Sequence, residues 1–171
     1  MEKNVVIKCL EEIVGTDALP YLSGEIEGCG TEHCRLTEDR GSVYGVAVKI
    51  NDENEKSDIF NAIKKDVDVL SLKTVDEWQS IGNNFYPLYW GKDINMGIRL
   101  HSHTKMMKST GTLQLNKLVF LINKEVIYGA YPCLKYDEKE KKLRNRYPDL
   151  LKTKKGNKDD LLMEEVNKDE K

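Results

Sequence analysis

The stretch "PLYWGKDINMGIRLHSHTK", from Pro87 to Lys105, determines how the rest of the sequence is interpreted. A short apolar run ends at "YWGK", and a helical pattern that carries Arg99 and His103 follows it. Glycine permits a sharp turn out of a strand, and residues four apart share one face of a helix. The stretch therefore predicts a strand, a turn, and a helix that presents Arg99 and His103 together.

Periodic patterns extend on both sides of this stretch. Helices are predicted at Lys3–Val14, which Gly15 closes, from Ser57 to about Val67, from Asp93 or Asn95 to about Met107, and at Asp137–Tyr147. Strands are predicted at Ser42–Ile50, in "FYPLYWG" and in "LNKLVFLIN", with "EVIYGAY" as a hairpin partner or the approach to the next element. The polar stretch from Ser23 to Arg40 is predicted to be a loop, and "NDENEK" a turn. This order predicts a small α/β (α+β) sandwich with a short central three-stranded sheet flanked by helices.

Composition is typical of a soluble domain, with 33% charged and 39% hydrophobic residues. No apolar run approaches the roughly 20 residues that span a bilayer, and acidic residues interrupt the N-terminal apolar pattern, which argues against a signal peptide. We expect a cytoplasmic protein with no membrane partner. Residues 1–40 are predicted to form an N-terminal helix and loop packed on a core at 41–157. Residues 51–84 are an insertion in that core, and 158–171 are a mobile charged tail.

The four cysteines are expected to be thiols in such a compartment. In "CGTEHC" the close grouping of Cys29, His33 and Cys34 raises the question of a zinc site. The spacing fits no standard zinc motif, and no second Cys/His pair follows. A loop with partly buried thiols is favoured, and the zinc alternative stays open.

Charge is distributed unevenly along the chain, although the net charge is only −2. From Lys92 to Lys108 four basic residues face one acid, and from Leu134 to Lys154 eight basic residues face four acids. The total excludes a uniformly basic nucleic-acid binder, whereas the two basic segments could form one basic face.

Several side chains together could attack a phosphodiester. Tyrosines and a lysine provide proton donors and a base, an arginine provides a cation for the phosphate, and one carboxylate could hold a hard divalent metal through oxygen. The candidate residues are Tyr44, Tyr89, Lys92, Arg99, His103 and Glu140. Because a free tyrosine has a pKa of about 10, a tyrosine base needs a neighbouring cation, and Lys92 is the expected supplier.

The sequence resembles the GIY-YIG nuclease family from about Gly41 to Asn157. "GSVYGVAV" resembles the first signature and "YPLYWGKD" the second, while "RLHSH" matches the family's helix arginine and the histidine of its restriction-enzyme branch. "EKKLRNRYPDLLKT" resembles the late helix with its metal-binding glutamate. Two features depart from the family pattern. Tyr44 and Tyr89 lie 45 residues apart, which suggests an insertion. There is also no clear closing asparagine, for which Asn157 is the candidate.

The resemblance implies a metal-dependent endonuclease that cleaves DNA, expected to be double-stranded. Glu140 would hold one Mg²⁺ or Mn²⁺ ion, with Glu138 as the rival ligand. Tyr44 would be the general base with Lys92 beside it, Tyr89 and His103 would orient the phosphate or the base, and Arg99 would stabilise the transition state. The predicted substrate contacts are Gly91, Lys105, Lys142 and Arg144.

Three matters stay open at this stage. The chain could instead be a catalytically silent module of the same fold that binds nucleic acid or protein, an alternative that the acidic total charge favours. It could also be a small interaction or inhibitor protein whose tyrosines belong to the core. Cutting both DNA strands would require a homodimer or two encounters, and the sequence specifies neither a recognition site nor a biological role.

Overall fold

A computed structural model describes residues 2–15, 21–26, 41–64, 70–94, 121 and 123–152. Within these ranges the chain forms three α-helices, α1 (Val5–Val14), α2 (Glu53–Lys64) and α3 (Tyr136–Arg146), and a short 3-10 helix (Val75–Glu77). Its strands are β1 (Leu22–Glu25), β2 (Ser42–Lys49), β3 (Phe85–Asp93) and β4 (Val126–Pro132). They form one four-stranded antiparallel sheet in the order β1-β4-β2-β3. The broad α+β prediction is confirmed.

Strand β2 lies inside the sheet and is buried on both faces, which explains its nearly continuous run of small and β-branched residues. On one face Tyr44, Val46 and Val48 pack into a cluster with α2 and Trp78. On the other face Val43 and Ala47 pack into a cluster with α1 and α3. The sheet therefore separates two apolar cores, each covered by helices, as in a layered α+β domain.

A pair of glycines lets α1 approach the sheet closely. Gly45 of β2 is the register partner of Gly129 of β4. A Cβ added at Gly129 would lie 2.8 Å from Cδ1 of Ile7 and 3.0 Å from Cγ1 of Val6. The helix itself is capped at both ends, since the side chain of Asn4 accepts the backbone N–H of Ile7 and Gly15 adopts a left-handed conformation.

The backbone segment that follows α3 covers the outer edge of β3. The register of β2 and β3 shifts between Val46 and Ala47, which leaves Leu88 as an extra residue in β3. The chain that follows α3 runs along this edge, where the backbone N–H groups of Leu150 and Leu151 donate to the carbonyls of Pro87 (3.2 Å) and Leu88 (2.8 Å). An edge that would otherwise expose unpaired backbone groups is thereby closed.

Several predicted boundaries are wrong, including the turn at Gly91, which lies inside β3. The predicted loop from Ser23 includes most of β1, so the sheet has four strands within the described residues and not three. The predicted turn "NDENEK" belongs largely to α2, because Oδ1 of Asp52 accepts the backbone N–H of Glu55 at 2.8 Å. The helix begins at Glu53, four residues before the predicted start at Ser57.

Of the last two segments predicted as strands, the structure confirms one as a strand. "EVIYGAY" supplies β4 itself, whereas neither Leu121 nor Asn123 is in a strand and most of "LNKLVFLIN" lies outside the described residues. The predicted helix that ends near Met107 and the tail at 158–171 also lie outside them. The bounds of helices α1 and α3 agree with the predicted bounds to within two residues. In the described ranges no helix is long and apolar enough to cross a membrane.

Candidate functional site

The site begins with Tyr44, whose ring lies on Gly91 of the neighbouring strand. Tyr44 is the register partner of Gly91. A Cβ added at Gly91 would lie 2.7 Å from Cε2 of Tyr44, and closer still to its Cζ and Oη. The missing side chain at Gly91 therefore makes room for the ring of Tyr44. A substrate contact through the backbone of Gly91 stays a prediction.

Tyr89 lies beside Tyr44 on the same face of the sheet. It is two residues before Gly91 in β3, and side chains alternate along a strand. The ring centroids of Tyr44 and Tyr89 are 6.2 Å apart, with the planes inclined by 41°. Both residues are buried, at 1% and 7% exposure. Burial raises the pKa of Tyr89, with nearby Arg144 acting in the opposite direction.

Helix α3 brings a glutamate and an arginine to the tyrosines. Glu140 and Arg144 are four residues apart, and Nη1 of Arg144 lies 2.8 Å from Oε1 of Glu140. The guanidinium carbon of Arg144 lies 5.2 Å from the ring centroid of Tyr89, within the range of a cation–π contact. Tyr89, Glu140 and Arg144 thus form one cluster at the edge of β3, and Tyr44 adjoins it through Tyr89.

A carboxylate that was not predicted completes this cluster. Oδ2 of Asp149 accepts the backbone N–H of Trp90 at 2.9 Å and lies 3.4 Å from Nε of Arg144. Arg144 also donates through Nη2 to the carbonyl of Trp90. Burial raises the pKa of Asp149 to about 6, against the lowering effect of Arg144. A carboxylate directly after Pro148, just beyond a basic helix, was the available sequence signal.

Lys92 extends the cluster along β3 but pairs with another group. Its ammonium forms an ion pair with Asp137 at the start of α3. This hydrogen bond is the main reason that the pKa of Lys92 is raised. Lys92 is the register partner of Val43, so its side chain leaves the sheet on the face opposite to Tyr44. Its predicted task of lowering the pKa of Tyr44 therefore has no support in this arrangement.

Glu140 and Glu138, the two rival ligands for a cation, have different surroundings. Glu140 is half-buried and lies near Arg144 and Lys92, whereas Glu138 is exposed on the same helix. Burial raises the pKa of Glu140, and those two cations partly oppose the effect. Glu140 therefore combines partial exposure with a strongly electrostatic environment, which is typical of functional carboxylates.

A metal at this position would rest on few protein ligands. No group of three or more His, Cys, Asp or Glu side chains with metal-binding geometry occurs in the part of the chain that the structure describes. Mg²⁺ commonly binds one or two carboxylates and completes its shell with water and substrate phosphate oxygens. Glu140 as the single protein ligand is compatible with that chemistry, provided that it exchanges its contact with Arg144 for the metal.

The remaining predicted site residues have different outcomes. Lys142 is exposed on α3 and remains available as a DNA contact. Arg144 instead contacts two carboxylates, a carbonyl and a ring, which is the environment of a structural arginine. The other predicted residues, Arg99, His103, Lys105 and the possible zinc ligands Cys29, His33 and Cys34, lie outside the described residues.

The remaining aromatic and sulfur groups belong to the cores. Trp90 is buried against Gly45, and its Nε1 donates to the carbonyl of Tyr147 at 2.7 Å. Cys9 and Cys133 are buried free thiols, and burial raises the pKa of each to about 11. Neither thiol is suited to act as a nucleophile near neutral pH.

Comparisons with known proteins add no relative to this description. No protein-family model matches the sequence, and neither a curated protein nor a solved structure matches it significantly. The functional argument therefore depends on the residues of the site.

Proposed function

We propose that the chain is a metal-dependent endonuclease of the GIY-YIG type that hydrolyses phosphodiester bonds in double-stranded DNA. The observation that carries the proposal is the clustering of Tyr89, Glu140 and Arg144 at the edge of β3, with Tyr44 packed against Tyr89. These residues are up to 100 positions apart in the sequence. The family that the sequence resembles has a tyrosine pair and a glutamate in one site. The proximity of Tyr44, Tyr89 and Glu140 therefore supports the proposal.

The described residues would divide the chemistry as follows. Tyr44 would accept a proton from the attacking water, and Tyr89 would orient the phosphate. A Mg²⁺ or Mn²⁺ ion held by Glu140 would neutralise the phosphate's developing charge. Arg99 would add a second cation in the transition state, and His103 would orient the base, by resemblance alone.

The cation beside the tyrosine base needs reassignment under this proposal. The ammonium of Lys92 is held by Asp137, so Lys92 would act as a fixed positive charge near Glu140. Arg144 lies closer to the tyrosine pair, since its guanidinium faces the ring of Tyr89. A cation at that distance favours ionisation of a phenol, but at Tyr89 burial outweighs Arg144 and the pKa is raised.

A second candidate function is a catalytically silent module of the same fold that binds nucleic acid or protein. Two observations favour it: Tyr44 is only 1% exposed, and the net charge of the chain is −2. The small interaction or inhibitor alternative places the two tyrosines in the core, and both are buried, at 1% and 7% exposure. Tyr44, Tyr89 and Glu140 on unrelated surfaces would have established it. Within the described residues Tyr89 and Glu140 instead share Arg144 as a neighbour.

Cleavage of supercoiled plasmid in Mg²⁺ separates the two candidates. We expect nicked and linear products from the wild-type chain, and a loss of about 10²-fold or more in the Glu140→Ala variant, as when one transition-state contact is removed. Glu140→Gln, which keeps the size of the side chain, tests whether the charge is what matters. Circular dichroism of each variant is the control for folding.

Three outcomes would change the assignment. A loss with Glu138→Ala but not with Glu140→Ala would move the metal ligand to Glu138. Binding of DNA without cleavage in any divalent cation would favour the silent module. If both cleavage and binding are absent, the nuclease proposal is wrong. If the chain does cleave DNA, sequencing the ends of the products would define the chemistry and any recognition site.

A further inference from the structure

Arg144 lies between two carboxylates at unequal distances. Nη1 is 2.8 Å from Oε1 of Glu140, whereas Nε is 3.4 Å from Oδ2 of Asp149. The first contact is the shorter ion pair, and the second exceeds the usual length of an N–H···O bond. The guanidinium is thus shared by the two carboxylates, with the shorter distance to Glu140.

The position of Asp149 is fixed independently of Arg144. Its Oδ2 accepts the backbone N–H of Trp90 at 2.9 Å, and the residue is only 5% exposed. The next two residues, Leu150 and Leu151, donate their backbone N–H groups to β3. Asp149 is therefore held in place on the edge of the sheet, while Arg144 and Glu140 are carried by the adjoining helix.

Binding of a divalent cation by Glu140 would change this balance. The carboxylate of Glu140 would turn some or all of its contact from Arg144 to the cation, and a partly buried guanidinium without a carboxylate is costly. Asp149 offers the replacement partner within a short movement of the Arg144 side chain. Without the charge of Asp149, Arg144 would hold Glu140 more tightly and oppose cation binding.

We infer that Asp149 is a positioning residue that shares Arg144 with Glu140 and accepts the guanidinium when Glu140 binds a divalent cation. Asp149 thereby sets the affinity of Glu140 for the metal without touching the metal itself. This inference rests on the proposed function, because it requires Glu140 to be a cation ligand.

Mn²⁺ binding, measured by calorimetric titration, tests the inference without reference to cleavage. Asp149→Asn keeps an oxygen acceptor for the N–H of Trp90 and removes only the charge. We expect Mn²⁺ affinity to fall about tenfold, within the range of couplings between contacting groups. In an Arg144→Gln background the same Asp149→Asn change should have little further effect, because the residue through which it acts is gone.

Several results would overturn the inference. One is an unchanged Mn²⁺ affinity in Asp149→Asn, even with a lower melting temperature, since Asp149 would then be merely structural. Another is an equal loss of Mn²⁺ affinity in the Arg144→Gln background, since Asp149 would then act on the metal directly through its electrostatic field. A third is an equal loss in Glu125→Gln, an exposed charge-matched control that pairs with Lys49 at 3.6 Å.

A crystal structure of Glu140→Gln provides a metal-free measurement that also serves if Arg144→Gln does not fold. Neutralising Glu140 imitates its release, so we expect Nε of Arg144 to move closer to Asp149 than 3.4 Å. A guanidinium that stays with the glutamine would overturn the inference. Failure of the proposed function looks different, because the wild type would then show no Mn²⁺ binding that Glu140→Gln removes. Mn²⁺ binding that requires Glu140 but is unaffected by Asp149→Asn would refute this inference and leave the proposed function standing.

Discussion

Gly91→Ala should disturb the tyrosine pair directly, because the Tyr44 ring occupies the space that a side chain at position 91 would need. The added Cβ would lie 2.7 Å from Cε2 of Tyr44 and still closer to Cζ and Oη. Carbon atoms in ordinary contact are about 3.5–4.0 Å apart. Since Tyr44 is 1% exposed, its ring can move only by displacing other core residues.

The size of the effect follows from two opposing contributions. Forcing an extra methyl group into a well-packed core typically costs about 1–3 kcal/mol. Replacing glycine by alanine also restricts the unfolded chain, which stabilises the folded state by about 0.4–1 kcal/mol. We expect a net loss of about 1–2 kcal/mol in the free energy of unfolding, or a melting temperature about 2–8 °C lower for a domain of this size.

Urea denaturation of the wild type and variants measures this loss. Gly24→Ala is the matched control, because its Cβ would approach only the Tyr128 side chain, at 3.3 Å, and we expect a change within about 0.5 kcal/mol. Tyr44→Leu removes the ring, so adding Gly91→Ala to that variant should cost much less than it does in the wild type. A wild-type stability for Gly91→Ala, or a cost that is the same in both backgrounds, would refute the packing of Tyr44 on Gly91.

Three further predictions concern charge and reactivity. Burial raises the pKa of Asp149 from 3.8 to about 6. The contribution of Asp149 to the free energy of unfolding is therefore fully present below pH 3.8 and is lost as the pH rises through 6. Denaturation at several pH values should therefore show the wild type gaining, relative to Asp149→Asn, on the order of 3 kcal/mol between pH 7 and pH 3.8; a constant difference would contradict this. Arg99→Lys should lower single-turnover cleavage about 10²-fold or more but weaken DNA binding less, because lysine lacks the paired donors of guanidinium; weak binding with normal cleavage of bound DNA would make Arg99 a docking residue. Cys9 and Cys133, with pKa values of about 11, should react with iodoacetamide at pH 8 only on unfolding, as followed by peptide mass spectrometry; rapid labelling of the native chain would refute their burial.

Local patterns predicted the elements whose local and tertiary preferences agree. Helix α1 has an asparagine cap, an apolar stripe and a closing glycine, so its limits are visible without tertiary information. Strands β2 and β3 are continuous β-branched or aromatic runs because both faces of each are largely buried. Tyr44 and Tyr89 were grouped through the family resemblance, and the register of β2 and β3 places them on one face of the sheet.

Other features depend on contacts that no local pattern records. Strand β1 has only four residues and includes a glycine, and its strand conformation depends on pairing with β4. The ion pair of Lys92 with Asp137 joins groups 45 residues apart, so no local pattern separates Lys92 from Tyr44. Asp149 was overlooked because its importance comes from the edge of β3, which only the folded chain brings to it.

The charges of the described cluster bear on how its ligands would bind. Three carboxylates, on Asp137, Glu140 and Asp149, accompany two basic side chains, on Lys92 and Arg144. The charge of Lys141 also acts on Glu140, so with all six groups ionised the positive and negative charges are equal in number. A divalent ion held by Glu140 would make the cluster positive, so on the proposed function the metal would strengthen the attraction of this part of the site for a phosphate. A site with balanced charges would therefore depend on the cation, more than on its own side chains, to hold the DNA backbone.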